Sequence, residues 1–184
     1  MLLISMLCSL LTTAQKNPVI LKIRENFQIW QPIIEKESSN STKLFHYAWG
    51  ENYQEEDWYE NEQKSENKFL FQKVSVIKKD SLGTFVHHDD YSMSGDWNIT
   101  ADYYFDTNDQ LYFIYWRMNT FQATEPVTVE KRLYFDTDEQ LIRNLESKYK
   151  LNTKEESTAE FADREVAYEL RLNNMSFYKK LTQE

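Results

Sequence analysis

The sequence contains very little cysteine and glycine. Cys8 is the one cysteine among 184 residues, so a disulfide within the chain and a zinc site built from several cysteines are both excluded. The three glycines provide neither a glycine-rich loop for phosphate groups nor a glycine-flanked serine nucleophile. The fold must therefore depend on its apolar core, for which twelve tyrosines and eleven phenylalanines supply the material.

Basic residues are outnumbered as well. Lysine and arginine total 21 against 30 aspartates and glutamates, which gives a formal net charge of −9. The phosphate groups of nucleic acids and anionic membrane surfaces repel such a chain. We therefore expect no nucleic-acid partner and, once the N-terminal segment described next is removed, no membrane insertion.

Charge is absent from the first fifteen residues, and residues 2–11 form an apolar run that is too short to be a stable membrane anchor. Thr12 and Ala14 place small residues three positions and one position before a cleavage point, which is typical of a secretory signal peptide. The sequence thus predicts a signal peptide over residues 1–15. Residues 16–184 then form a single exported domain, periplasmic or secreted.

Cys8 leaves other interpretations of this N-terminal segment open. A lipid anchor at Cys8 is disfavoured because Leu7, which precedes it, is larger than the residue that lipidation requires. An apolar segment that is not cleaved is the other alternative. An exported domain without disulfides is typical of a bacterial envelope rather than of an animal extracellular fluid.

Two stretches have the spacing of amphipathic helices. The first begins at the Asn17–Pro18 pair, which is typical of a helix start, and Pro32 predicts that it ends near Gln31 or kinks there. Its apolar face comprises Ile20, Ile23, Phe27, Trp30 and Ile34. The second runs from about 158 to 180 and follows two capping-box spacings. Its apolar face comprises Ala162, Val166, Leu170, Phe177 and Leu181.

One phrase occurs twice, as YFDTNDQL over residues 104–111 and as YFDTDEQL over residues 134–141. In each copy an alternating stretch leads into aspartate and asparagine, which favour turns because their side chains bond the nearby backbone and tolerate left-handed geometry. We interpret the copies as two β-hairpins of one sheet. The sequence therefore predicts an α+β fold, in which an antiparallel β-meander of about five to seven strands packs with an N-terminal and a C-terminal helix.

The order of these motifs resembles that of a group of small, uncharacterised secreted bacterial proteins. The resemblance rests on YYFD (103–106) followed by LYF (111–113), and on RLYF (132–135) followed by LIR (141–143). It covers about residues 20–143 and implies a leading helix and repeated hairpins, with no active site to transfer. Gln110 and Gln140 stand where that group usually has glycine, which implies a longer or differently shaped turn.

Residues 50–68 carry seven acidic residues against two lysines and show little apolar periodicity, which predicts a long solvated loop. Tyr53, Trp58 and Tyr59 are unusual residues for such a loop. Either they fold back onto the edge of the sheet, or they form a surface that binds a protein or a sugar, since tyrosine and tryptophan are frequent anchors of interfaces. These three are the candidate residues for binding a partner or a small ligand.

His87, His88 and Asp89 are the candidate metal ligands, with His46 as a further imidazole. Successive residues of a strand point to opposite faces, so His87 and His88 cannot easily bind one ion. The simpler interpretation is that these polar residues lead into a loop. Acidic residues of the repeated phrase look like fragments of a calcium loop, but they lack its glycine and its closing glutamate, and turn chemistry explains them.

The patterns together favour a non-catalytic function. No motif places a nucleophile beside an oriented base, and no cofactor is indicated. We expect an exported binding domain of the bacterial envelope that takes a protein or a small ligand through its sheet or through residues 50–68. The alternative is an exported hydrolase that uses paired carboxylates or the region from His87 to Asp90. A purely structural component of the envelope is a third possibility.

Overall fold

The computed structural model describes residues 17–63 and 65–183 of the chain. The predicted signal peptide over residues 1–15 lies outside the described residues, and so does Cys8, the site of the disfavoured lipid anchor. Within the described part of the chain, no helix combines the length and the apolar character that crossing a membrane requires.

The leading helix, α1, spans Pro18–Glu37. The Asn17 side chain caps it as predicted, because its Oδ1 accepts a hydrogen bond from the Val19 N–H at 2.9 Å. Helix α1 continues through Pro32, so the alternative in which it ends near Gln31 is wrong. At its far end, Glu37 forms an ion pair with Lys79 of the sheet at 2.6 Å, which ties the last turn of the helix to the strand beneath it.

The strands form one antiparallel sheet of eight. They are β1 (Thr42–Trp49), β2 (Glu55–Tyr59), β3 (Phe69–Lys79), β4 (Gly83–Tyr91), β5 (Trp97–Phe105), β6 (Leu111–Thr120), β7 (Val127–Phe135) and β8 (Leu141–Lys150). Their spatial order is β2-β1-β3-β4-β5-β6-β7-β8, so β2 and β8 are the two edges. The α+β class is confirmed, but the strand count exceeds the predicted five to seven. One further strand, β2, lies inside the 50–68 range that was predicted to be a loop.

The two faces of the sheet are covered by different parts of the chain. Helix α1 covers one face, where its fully buried Trp30 lies 6.0 Å from the Phe85 ring and 6.5 Å from the Tyr104 ring. The opposite face carries the larger core, which includes Val86, Ile114 and other alternating strand residues. The chain after β8 covers that second face and contributes Ala159, Leu172 and Phe177 to its core.

The helix predicted over about residues 158–180 does not form over that range, and within the described part of the chain only a short C-terminal helix is present. The chain after β8 is mostly extended, with a 3-10 turn at Leu172–Asn174 and a four-residue helix, α2, at Tyr178–Leu181. Its path is set by contacts with the sheet. Lys131 is buried on β7, and its Nζ bonds Asp163 at 2.7 Å and the Arg164 carbonyl at 3.1 Å. A buried ammonium requires such partners, and a backbone carbonyl inside a helix would already be bonded.

The repeated phrase forms two matching hairpin turns, as predicted. Asp106 Oδ1 accepts hydrogen bonds from the backbone N–H groups of Asn108 at 2.8 Å and Gln110 at 3.0 Å. Asp136 Oδ1 makes the equivalent two bonds in the second copy, both at 2.9 Å. In each turn an acidic residue takes the left-handed conformation, with φ of 58° and 62°. Gln110 then links the copies, because its Nε2 donates to the Thr137 carbonyl at 2.9 Å.

Candidate functional site

A cavity of about 320 Å³ opens between the last turns of α1 and the strands beneath them. Four of its lining residues come from α1 and the chain after it, and the other five come from β3, β4 and β5. We call this cavity the His87 pocket. It is lined by Gln31, Ile34, Ser38, Ser41, Ser75, Ile77, Phe85, His87 and Asp102. On the sheet side, Ile77 pairs with Phe85 as an apolar wall, and Ser75, His87 and Asp102 are neighbours in a polar wall. Such a mixture of apolar and polar groups is usual in a small-molecule site.

His87 is fixed between two carboxylates in the polar wall. Its Nδ1 donates to Asp102 Oδ1 at 2.6 Å across the β4–β5 pairing, and its Nε2 lies 3.2 Å from Asp89 Oδ1 on its own strand. The hydrogen bond to Asp102, with that to Asp89, raises the pKa of His87 from 6.5 to about 9, although burial opposes the shift. The imidazole is therefore a cation at neutral pH. Its ion pairs stabilise the fold fully below pH 6.5, and this contribution is lost as the pH rises through about 9.

Asp89 keeps its charge in this arrangement. Burial pushes the pKa of Asp89 upward, but the hydrogen bond from His87 and the positive charges of His87 and Lys73 outweigh burial and leave the pKa below its usual value. Lys73 stands opposite Asp89 in the β3–β4 register. From Lys73 through Asp89 and His87 to Asp102, cations and carboxylates thus alternate and neutralise one another.

His88 points to the opposite face, as strand geometry predicted. Its Nε2 lies 3.5 Å from Asp90 Oδ1, and its ring centroid lies 6.3 Å from that of Tyr103. Tyr103 belongs to the core on the face that the chain after β8, the C-terminal segment, covers. Burial lowers the pKa of His88, so this imidazole is neutral at pH 7. The structure therefore separates His87 and Asp89 from His88. Among residues 17–63 and 65–183, no group of three or more His, Cys, Asp or Glu side chains is arranged to hold a metal ion.

The candidate binding residues Tyr53, Trp58 and Tyr59 do not share one surface. Trp58 is buried, stacks on His46 with ring centroids 4.7 Å apart, and contacts the Phe177 ring at 5.7 Å. Tyr59 packs edge-on against Tyr47, and Tyr53 is exposed beside Phe69. Trp58 thus folds back onto the sheet, whereas Tyr53 is exposed and Tyr59 is half-buried.

Two members of the His87 pocket, Ser75 and Asp102, were missed by reasoning from the sequence. Ser75, His87 and Asp102 are direct neighbours across β3, β4 and β5. Their positions depend on the register of three strands, which the sequence alone does not specify. One signal was present: Asp102 is the one charged residue of β5, and a charged residue inside a strand usually has a partner.

No protein-family model, curated protein or solved structure matches this chain. Function must therefore be argued from the site itself.

Proposed function

We propose that the protein is a non-catalytic binding domain, exported to the bacterial envelope, that holds a small ligand in the His87 pocket. The observation that carries this proposal is a protonated imidazole fixed by Asp102 and Asp89 in the wall of a cavity of about 320 Å³. A cavity of this size lies at the lower end of the range of ligand sites, which suits a ligand smaller than a typical drug.

The lining favours a ligand with an apolar body and a polar head. Ile34, Ile77 and Phe85 offer apolar contact on one side. On the other side, Ser75 and Asp102 offer a hydroxyl group and a carboxylate to the polar head. Because both ring nitrogens of His87 already face carboxylates, the imidazole orients Asp102 rather than exchanging a proton with the ligand.

Export is supported by the sequence. The first fifteen residues are uncharged and mostly apolar, and the remainder has no cysteine. The resemblance to small secreted bacterial proteins points in the same direction. A binding role in the envelope agrees with the net charge of −9, which disfavours nucleic acids and anionic lipid as partners.

The alternative, an exported hydrolase, is favoured by one observation. Ser75, His87 and Asp102 stand side by side on three adjacent strands, in the order of a hydrolytic triad. However, a general base must be neutral near pH 7, and Asp89 occupies the nitrogen that would accept the serine proton. The pKa of about 9 makes His87 a poor base, and we therefore favour binding.

Ile34→Trp is expected to close the His87 pocket by placing an indole where the smaller side chain lines the cavity. The probes are small amphipathic amines and alcohols, screened by saturation-transfer NMR against the wild-type protein. We expect compounds that bind the wild type in the millimolar to micromolar range to lose at least about tenfold in affinity, since bulk in the pocket excludes the apolar body.

Ile29→Trp is the matched control, because Ile29 lies on the same helix and is 46% exposed. Equal binding to both variants would place the ligand elsewhere, and no binding to the wild type would contradict the proposal. Hydrolysis of p-nitrophenyl acetate that disappears in Ser75→Ala would establish the hydrolase instead.

A further inference from the structure

A second site, independent of the His87 pocket, surrounds the side chain of Lys68. The Lys68 Nζ lies 4.5 Å from the centroid of the Trp49 ring and 4.3 Å from that of the Tyr59 ring, and it donates to the Tyr59 hydroxyl at 2.9 Å. The ring centroids of Trp49 and Tyr59 are 6.3 Å apart. We call these two rings the aromatic box. The electron-rich faces of such rings attract an ammonium group, so Lys68 acts as a cation already bound in this box.

Acidic residues complete the surroundings of the aromatic box. Glu55 accepts a hydrogen bond from Trp49 Nε1 at 2.7 Å, which fixes the indole in place. A depression of about 530 Å³ adjoins Lys68 and is lined by Gly50, Tyr53, Glu66, Asn67, Lys68 and Phe69. Seven of the nineteen residues from 50 to 68 are acidic. The site is therefore suited to more positive charge than one lysine supplies.

The interactions that keep Lys68 in the aromatic box are weak. It lies in the irregular connection between β2 and β3, where its backbone N–H makes a long hydrogen bond of 3.4 Å to the Ser65 carbonyl. Its side chain makes cation–π contacts with the Trp49 and Tyr59 rings and donates a hydrogen bond to the Tyr59 hydroxyl. Each cation–π contact near a surface is worth little, because water competes for the ammonium. A second ammonium group that is present at a higher local concentration can therefore displace the Lys68 ammonium from the aromatic box.

The edge of the sheet supplies a surface beside the box. Strand β2 is outermost in the sheet, and it pairs with β1 on one side while no described strand pairs with it on the other. Its sequence begins with three acidic residues, Glu55, Glu56 and Asp57, and all three are exposed. An extended segment from another protein can add to such an edge through backbone hydrogen bonds, and basic side chains would complement these acids.

We infer that the aromatic box binds the ammonium group of a lysine presented by a basic, extended segment of a partner protein, and that this lysine displaces Lys68. A small quaternary ammonium compound also carries a cationic head group, but it has no N–H to donate to the Tyr59 hydroxyl, and it would not use the open edge of β2. Both features favour the protein source. The candidate residues Tyr53 and Tyr59 take part in this site, and Trp49 takes the place predicted for Trp58.

Lys68→Gln is expected to strengthen binding, because it removes the resident competitor. The probe is a capped peptide of alternating lysine and threonine. Its binding is followed by the indole N–H signal of Trp49 in two-dimensional NMR spectra. The variant Trp49→Phe assigns this signal, because it lacks the indole N–H. We expect the peptide to shift this signal in the wild type and to bind Lys68→Gln about tenfold more tightly. Tyr59→Leu, which removes one ring, is expected to abolish the shift.

Lys78→Gln is the matched control, since Lys78 is exposed on β3 and is not part of the box. It changes the net charge equally, so an equal gain in this variant would show that general electrostatics is responsible and would overturn the inference. An unmoved Trp49 signal, or weaker binding to Lys68→Gln, would overturn it as well. Tetramethylammonium that binds as tightly as the peptide would overturn the assignment to a protein partner. A glutamine-threonine peptide must not bind.

Discussion

Gly83→Ala is expected to destabilise the fold by about 3–5 kcal/mol, the sum of backbone strain and a steric clash. Gly83 begins β4 directly after the turn that follows β3, and its φ is +100°, which side chains rarely tolerate. A Cβ at this position would lie 2.1 Å from the Phe105 carbonyl oxygen and 2.6 Å from that of Asp106. Both are backbone atoms of the neighbouring strand and turn, so neither can move without disrupting the β4–β5 pairing. Chemical denaturation with urea measures the loss.

Gly95→Ala is the matched control for this change. Gly95 also has a positive φ, +74°, but no atom lies within 4 Å of the position that a Cβ would take. It therefore isolates the conformational term, for which we expect about 1–2 kcal/mol. Equal losses in the two variants would show that Gly83 has no steric role and that the close approach of β4 to the β5 turn is wrong.

Phe177→Ala is expected to cost about 3–5 kcal/mol, as truncation of a fully buried aromatic residue usually does. Phe177 is 1% exposed and packs against Trp58 in the core on the face opposite α1. It lies just before α2, in the segment that covers this face. Loss of the ring would leave a cavity between the segment and the sheet, and urea denaturation measures the change in unfolding free energy.

Phe121→Ala serves as the control, because Phe121 is 60% exposed in the connection after β6. We expect its truncation to change stability by less than about 0.5 kcal/mol. If Phe177→Ala were as mild as Phe121→Ala, the C-terminal segment would not be packed on the sheet in solution, and the second face of the sheet would be uncovered.

The hairpins of the repeated phrase could be predicted because their determinants are local. Alternating residues set the two faces of each strand, and Asp106 and Asp136 each bond two backbone N–H groups within five residues. In each turn the acidic residue before the glutamine adopts the left-handed conformation. The contacts that could not be predicted are tertiary: Gln110 donates to the Thr137 carbonyl of the second turn, and the Asp109 carbonyl accepts from the Leu172 N–H of the chain after β8.

The C-terminal segment and β2 were mispredicted because their conformations depend on distant contacts. Apolar residues four apart indicated a helix after β8, but the chain there is extended, and it bonds the buried Lys131 through the Asp163 carboxylate and the Arg164 carbonyl. Likewise, the three acids of β2 suit a loop by propensity. Pairing with β1 and the burial of Trp58 against His46 make it a strand.

The candidate site was predicted in part. The histidine pair was recognised, and so was the divergence of its two members. What the sequence could not supply was the β4–β5 register, which brings Asp102 to His87 over a separation of fifteen residues. That contact determines the chemistry of the site, because it converts the imidazole from a possible base into a fixed cation.

The most direct test of this account is the protonation state of His87, measured by long-range ¹H–¹⁵N NMR of the imidazole groups over a pH titration, with His87→Gln to assign its signals. His87 is expected to stay protonated at neutral pH and to titrate near pH 9, while His88 is expected to titrate below 6.5. A His87 that titrates at or below 6.5 would contradict the account. It would mean that Asp89 and Asp102 do not hold the cation in place, and the hydrolase would become the better interpretation.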